Sequence, residues 1–437
     1  MSQLSIFGGD PVRTKPFPAW PVFDEGEERG LLEVLRSGRW WGLSFGEGLH
    51  TSAREPGAPV FKVTEFQEAF ARMQGGLYGL ACSSGTAAIE IALKALGVGP
   101  GDEVIVPPYT FIATATAPLT INAVPVFCDI HPDTYNLDPD KFEAAITPRT
   151  KAVIPVHFAG LAADMERILA IAQSHNIAVL EDAAHAHGAR WNDRGLGFLG
   201  RAGTFSFQVS KNMTAGEGGL ITTNDRDLAE LCESYLWSGR KLGREWYEHF
   251  RLGWNYRLTE FQAALLLAQL QRIEEQNARR MSNALYLSEA LRSVPGIHPL
   301  EVPAYATRHS FHIYVLRFRD EEFGISRTDF LAALRAEGIP CSSGYAYPLY
   351  KNAVFRDKEF FPRGWASHRD PLGETPDYDS FEQVCPNVER ACREAVWLEH
   401  RLLLGERKDV DDIARAILKI YAGREAFAGS PVHTRAD

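Results

Sequence analysis

Residues 204–225 read TFSFQVSKNMTAGEGGLITTND: a strand-like run from Thr204 to Val209, then Lys211, then a glycine-rich turn leading into a second apolar run. Most lysines are solvated surface charges. One that ends an apolar strand inside a sheet domain can instead lose its water, and its amine then falls from about 10.4 toward a nucleophilic range. The glycines of Ala215-Gly216-Glu217-Gly218-Gly219 let backbone pack close to whatever that amine holds.

Outward from this stretch, short apolar runs alternate with amphipathic ones between about Ala81 and Asn224. Val104 to Val106, Ala123 to Ile130, Ala152 to Phe158, Ala178 to Leu180 and Thr204 to Val209 are predicted strands, most of them bounded by Gly, Pro, Asn or Asp. Between them Thr86 to Leu96, Asp138 to Ile146 and Asp164 to His175 have helical periodicity. Repeated strand–helix alternation means an α/β fold with a mainly parallel central sheet covered by helices. The strands are apolar on most residues, as burial on both faces requires. A helix is predicted from Asp227 to Gly239, and one long helix from Thr259 to about Leu291, capped by Thr259 and joining a large domain to a small one. Beyond it, the strand His312 to Phe318, the helix Arg327 to Gly338 and the extended Ile339-Pro340-Cys341 describe a smaller α+β C-terminal unit. Lys358 to Pro386, rich in Pro, Gly and charge, reads as an excursion loop. The expected division is an N-terminal arm 1–20, a large domain 21–280, a small domain 281–425 and a frayed tail 426–437.

Composition narrows the classes. With 45% apolar residues among 437, the chain can bury enough surface to exclude disorder. No stretch approaches the roughly 20 apolar residues of a membrane span, and no export signal is visible at the N-terminus, so no membrane partner is expected. Lys plus Arg is 46 against 56 for Asp plus Glu, a formal charge of −10 that gives no general attraction for nucleic acid. The six cysteines form no C-x-x-C pair, and their expected state is reduced in a cytoplasmic enzyme.

Two further segments carry candidate chemistry. SSGTAAIEIAL, from Ser83, is a small-residue turn opening into a helix, where backbone N–H groups and the Thr86 hydroxyl can hold an anion. An ordinary N-capped helix has the same appearance. VLEDAAHAHGA, from Val179, places Asp182 just after a buried strand, at the ligand-facing edge of an α/β sheet. Alone, Asp182 reads more readily as a helix cap or a buried pair. His185 and His187 follow, but no further ligand cluster supports a metal, and none is expected. Phosphate nest, carboxylate and buried lysine together are the requirements of pyridoxal phosphate (PLP): the lysine forms the Schiff base, and the carboxylate keeps the pyridine nitrogen protonated.

On these motifs and their order the chain resembles the DegT/DnrJ/EryC1/StrS aminotransferases, the sugar and cyclitol branch of fold-type I PLP-dependent transferases, from about Pro18 to Ile417. The resemblance implies that Lys211 is the Schiff-base lysine, that Asp182 pairs with the pyridine nitrogen and that His185 neighbours the ring hydroxyl. Gly85, Thr86 and Ser206 match its phosphate-binding positions. Phe111, in VPPYTFIATATA, falls where an aromatic ring stacks on the cofactor, although core packing would equally explain it. Asn255, in LGWNYRLTEFQAA, otherwise a turn residue, matches one sent to the partner subunit's phosphate, so a homodimer with shared active sites is implied. Two subgroups are similar: glutamine-dependent inosose aminotransferases and 3-amino-5-hydroxybenzoate synthase. SGRWW, PVHFAGLAADM and VWLEHRLLLG fit both, while DAAHAHGA, FSFQ and Tyr350 lean to the synthase. The segments Gly42 to Pro59 and Lys358 to Pro386 are longer than usual.

The expected activity is transfer of an amino group from L-glutamine or L-glutamate to a ketosugar or ketocyclitol. Lys211 acts in it as general base and acid. Aminocyclitol or aminosugar natural-product biosynthesis is the implied setting. The alternatives are an aromatising dehydratase of the synthase kind and a non-enzymatic sensor or scaffold that keeps the fold. Lys211 speaks against the sugar 3-dehydratase branch, which has His there.

Overall fold

The computed structural model describes residues 3–41, 60–241, 243–245, 247–358, 360 and 375–429. The segment 42–59, and most of the loop after Lys358, lie outside the described residues. The central sheet contains Tyr78–Cys82 (β1), Glu103–Val106 (β2), Val124–Phe127 (β3), Thr150–Val153 (β4), Ala178–Asp182 (β5), Ala202–Ser206 (β6) and Gly219–Thr223 (β7), in the order β1-β7-β6-β5-β4-β2-β3. Strands β6, β5, β4, β2 and β3 are parallel, and β7 runs antiparallel to both β6 and β1. Val104, Ile105, Val106, Val153 and Leu180 are fully buried, as a sheet covered on both faces demands. The covering helices begin at side-chain caps that satisfy orphan N–H groups: Ser84 for Gly85–Ala95, Asp164 for Met165–Ser174 and Asp225 for Arg226–Leu236.

Three expectations are corrected. The run from Thr204 stops at Ser206 as a strand. Phe207 N–H then bonds to Gly218 O (2.8 Å), and the chain turns so that Lys211 N–H reaches Gln208 O (2.9 Å). The single helix from Thr259 is two, Glu260–Leu270 and Ile273–Leu291. Gln271 and Arg272 close one tight turn between them, and Arg272 pairs there with Asp24 (2.5 Å) and Glu27. The Lys358–Pro386 stretch is ordered at its end: Tyr378–Ser380 and Phe381–Val384 are helical turns, and Pro386 opens the helix Pro386–Glu394. Tyr378 and Phe381 pack against Phe127 at 5.9 and 5.5 Å between ring centroids, so aromatic burial outweighs a composition suited to a loop.

The smaller sheet, Ile297–Pro299 (β8), Ile313–Phe318 (β9) and Ala395–Glu399 (β10), is antiparallel with β9 central. It packs with the helices Arg327–Ala336 and Arg407–Gly423 into a second core, which includes Leu4 and Phe17 of the N-terminal arm. Polar anchors fix that arm. Glu337 accepts from Ser5 N–H (2.9 Å), Val12 N–H (3.0 Å) and Lys419 Nζ (2.8 Å), and Arg13 pairs with Asp409 and Asp412 at 2.9 Å each. Residues 426–429, placed in the tail by the sequence, continue as a 3-10 turn in which Phe427 meets Phe7 edge-on at 4.9 Å.

Candidate active site

The carboxyl ends of β5 and β6 and the start of the helix Gly85–Ala95 open onto a cavity of about 520 Å³. Gly85, Thr86, Phe111, Asp182, His185, Ser206 and Lys211 all line it. Asn255 does not; it is exposed and bridged to Trp237. His187 is also elsewhere. It is buried among Phe70, Phe205 and Phe207 and does not line the cavity, so Asp182, His185 and His187 do not converge on it.

Close approach explains the glycine of the nest. A Cβ at Gly85 would lie 2.9 Å from Ser206 Cβ, so any side chain there would displace the strand that delivers Ser206. With Ser84, Gly85, Thr86 and Ser206 together, a helix N-terminus and three hydroxyls face one end of the cavity, an arrangement that suits an oxyanion. Asp182, at the carboxyl end of β5, is fixed by four bonds. Its N–H reaches Pro155 O (2.9 Å) and its carbonyl accepts from His157 N–H (3.0 Å). Its carboxylate accepts from Thr114 Oγ1 (2.8 Å) and Ala184 N–H (3.1 Å). Thr110 Oγ1 lies 3.2 Å from Thr114 Oγ1, extending the chain of hydroxyls.

Burial pulls the Lys211 amine down to about 8, against the nearby Asp182 carboxylate, which favours its charged form. About a tenth of it is therefore an uncharged nucleophile at pH 7, several hundredfold more than at the ordinary 10.5. His185 packs against His312 with the rings tilted by 33°, 4.2 Å between centroids, and its buried Nδ1 has no hydrogen-bond partner among the described residues. Burial, reinforced by Lys211, holds that imidazole far below its usual range and hence neutral. Phe111 is 60% exposed over the cavity, which excludes the core-packing reading. The residues fit a phosphorylated pyridine aldehyde on three counts: an anion cradle closed to any Cβ, a carboxylate held by donors, and a buried imidazole with an unmet ring nitrogen.

The sequence reading missed the walls. Thr114, His312, Tyr345, Trp397 and Glu217 also line the cavity. Thr110 and Thr114 both lie in the apolar stretch already singled out, Thr114 in the helix Ala113–Thr120 and Thr110 in the bend before it. Trp397 lies within a quoted motif, whereas Tyr345 and His312 had none. Tyr350 is not in the cavity; its hydroxyl donates to Glu389 Oε1 (2.7 Å) and its ring packs 5.8 Å from Phe127.

A mainly parallel α/β sheet with a small α+β C-terminal domain and a lysine–aspartate cavity at its strand ends defines a fold-type I transferase. The chain belongs to the DegT/DnrJ/EryC1/StrS aminotransferase family, whose model matches residues 61–369, and it is an aminotransferase. It is 38% identical over 431 residues to the L-glutamine:2-deoxy-scyllo-inosose aminotransferase of Streptoalloteichus tenebrarius, covering 96% of this chain and 97% of that one. It is 37% identical over 411 residues to the 3-amino-5-hydroxybenzoate synthase of Amycolatopsis mediterranei, covering 93% and 97%. The crystal structure of a 3-amino-5-hydroxybenzoic acid synthase superposes with a TM-score of 0.81 at 35% identity, over 94% of this chain and all of that one.

Proposed function

We propose that this chain binds PLP and transfers an amino group from L-glutamine or L-glutamate to a ketosugar or ketocyclitol, as a cytoplasmic homodimer in aminocyclitol or aminosugar biosynthesis. When bound, PLP supplies an electron sink that stabilises the carbanion formed on losing a substrate proton. The helix start at Gly85 and Thr86, with Ser206, holds the phosphate. Asp182, itself braced by Thr114 and Ala184, pairs with the ring nitrogen and keeps its proton in place. His185 sits beside the ring hydroxyl, and Phe111 covers one face of the ring. Lys211 carries the cofactor between turnovers. Released, its amine would take the proton from the donor's α-carbon and, in the second half-reaction, would give a proton to the former carbonyl carbon of the acceptor, a role suited to an amine lowered to about 8. Asn255, outside this cavity, reaches the phosphate site of the partner subunit.

The observation that carries this reading is the convergence of Lys211, Asp182 and the Gly85–Thr86 helix start on one cavity from separate chain segments. The test is borohydride reduction of the PLP-loaded protein followed by peptide mapping, with the pyridoxyl group expected on Lys211. A tag on any other lysine, or none, refutes it. Loading with L-glutamine and then screening ketosugars and ketocyclitols for return of the original spectrum identifies the acceptor. The TM-score of 0.81 to a 3-amino-5-hydroxybenzoic acid synthase favours a second reading, an aromatising dehydratase on the same residues. Incubation with an aminodehydroshikimate separates the two, since only the dehydratase develops an aromatic ultraviolet band.

A further inference from the structure

The lysine-bearing turn is held from outside the sheet. Trp20 Nε1–H, from the N-terminal arm, donates to Val209 O at 2.7 Å. His400 Nε2, from the small domain, lies 3.1 Å from Ser210 O. On the far side of Lys211, Asn212 Nδ2–H donates to Ser310 O (2.8 Å), and its Oδ1 lies 3.0 Å from His312 Nδ1. The two residues before the lysine and the one after it are thus tied to segments distant in sequence.

His400 has a defined tautomer. Arg280 Nη2 stands 3.3 Å from His400 Nδ1, and a guanidinium only donates, so Nδ1 is the acceptor and Nε2 carries the proton given to Ser210 O. Arg280 is itself fully buried, on the helix Ile273–Leu291, and donates to Asn277 Oδ1 (3.0 Å). Its guanidinium lies 5.7 Å from the ring of Trp20, which in turn meets His400 edge-on at 4.4 Å. A buried cation is costly to leave without acceptors, so its bonds to Asn277 and His400 favour one orientation of the guanidinium.

We propose that His400 is the positioning residue for Lys211: it relays the fixed orientation of Arg280 to the carbonyl of Ser210, and so aims the adjacent lysine side chain into the cavity. The inference rests on Lys211 being the reactive amine. It adds that the small domain, rather than the sheet carrying the rest of the site, sets where that amine points. Without the Ser210 bond the turn slackens and the amine gains solvent. The charged and titratable groups that act on it are Asp182, His185 and His312 in the cavity and His187 behind it.

The test needs no cofactor. The full chain is stripped of cofactor and acetylated with acetic anhydride across pH 6–11, and Lys211 labelling is followed by peptide mass spectrometry. The wild-type midpoint is expected near 8. In His400→Leu the midpoint moves toward the ordinary 10.5, so labelling at pH 7, relative to its high-pH plateau, falls at least about tenfold. His400→Gln can accept from Arg280 and donate to Ser210 O, and it restores the wild-type midpoint. A wild-type midpoint in His400→Leu, or an equal shift in both variants, overturns the proposal. Should His400→Leu not fold, His400→Asn, polar but too short to reach Ser210, carries the same expectation. Borohydride mapping on the wild type reports separately on the underlying reading of Lys211.

Discussion

Replacing Glu181 with Gln tests how the sheet holds the carboxylate side of the site. Glu181 and His157 have fully buried side chains, 2.9 Å apart. Oε1 of Glu181 accepts from Leu199 N–H and Gly200 N–H, both at 2.7 Å, and Oε2 accepts from Gly197 N–H at 2.7 Å and from His157. His157 Nδ1 already accepts from Ala163 N–H (3.1 Å), so its Nε2 is the donor and no tautomer change can rescue the pair. Glutamine offers one oxygen and one NH2. Whichever way it turns, two buried donors face N–H. At about 1.5–3 kcal/mol for each bond to a charged acceptor, the loss is about 3–6 kcal/mol, a large part of the stability of an ordinary domain. Urea unfolding of wild type and Glu181→Gln, at one protein concentration, measures it. Because His157 N–H also holds Asp182 O, weaker PLP binding is expected alongside. A loss below about 1 kcal/mol would mean that the Gly197–Gly200 turn relaxes freely, and the reasoning fails.

Two other expectations bear on parts away from the chemistry or behind it. Burial pushes the Glu233 carboxyl from 4.5 up to about 8, helped by Glu230. The folded chain therefore keeps a proton that the unfolded chain has released, and stability falls as pH rises from 4.5 toward 8. Glu233→Gln should remove that slope and raise stability near pH 7 by up to about 3 kcal/mol; parallel urea midpoints for both proteins between pH 5 and 8 would contradict it. Gly344 has φ +71°, and a Cβ there would lie 2.5 Å from Trp397 Cε2 and 2.9 Å from the Tyr109 hydroxyl. Gly344→Ala should cost about 1–3 kcal/mol by forcing the rings apart. Trp397 lines the cavity, so KM for the keto acceptor should rise more than kcat falls. Unchanged melting and kinetics would show that the wall yields.

What the sequence made legible follows from local rules. Asp182 and Lys211 were readable because each follows an apolar run, and a buried parallel strand must surface at its carboxyl end. Gly85 and Thr86 were readable because a small-residue turn before an amphipathic helix leaves N–H groups free. The missed features depend on partners far along the chain. The break at Gln271–Arg272 follows pairing with Asp24 and Glu27, which no helical periodicity near Arg272 could announce. Strand β10 fails the alternation test because Ala395, Val396 and Leu398 are all buried between the two cores, and Trp397 beside them faces the cavity. Tyr378 and Phe381 were masked by neighbours of loop composition.

The same distinction divides the site. Asp182 is fixed by bonds within the large sheet and its edges: Pro155, His157, Thr114 and Ala184. The turn bearing Lys211 is fixed by Trp20, His400 and Ser310, from the arm, the small domain and the approach to its central strand. The amine therefore has anchors outside the large sheet that the carboxylate lacks, in addition to the bonds of Phe207 and Lys211 within the sheet and its turn. Composition and periodicity act within one element, so they can identify both groups while saying nothing of the distance between them. Mutations in the arm that leave every cavity residue intact should accordingly disturb the lysine before the aspartate. Trp20→Phe, which keeps the ring against His400 but removes the donor to Val209 O, should shift the labelling midpoint of Lys211 in the same direction as His400→Leu, though less far.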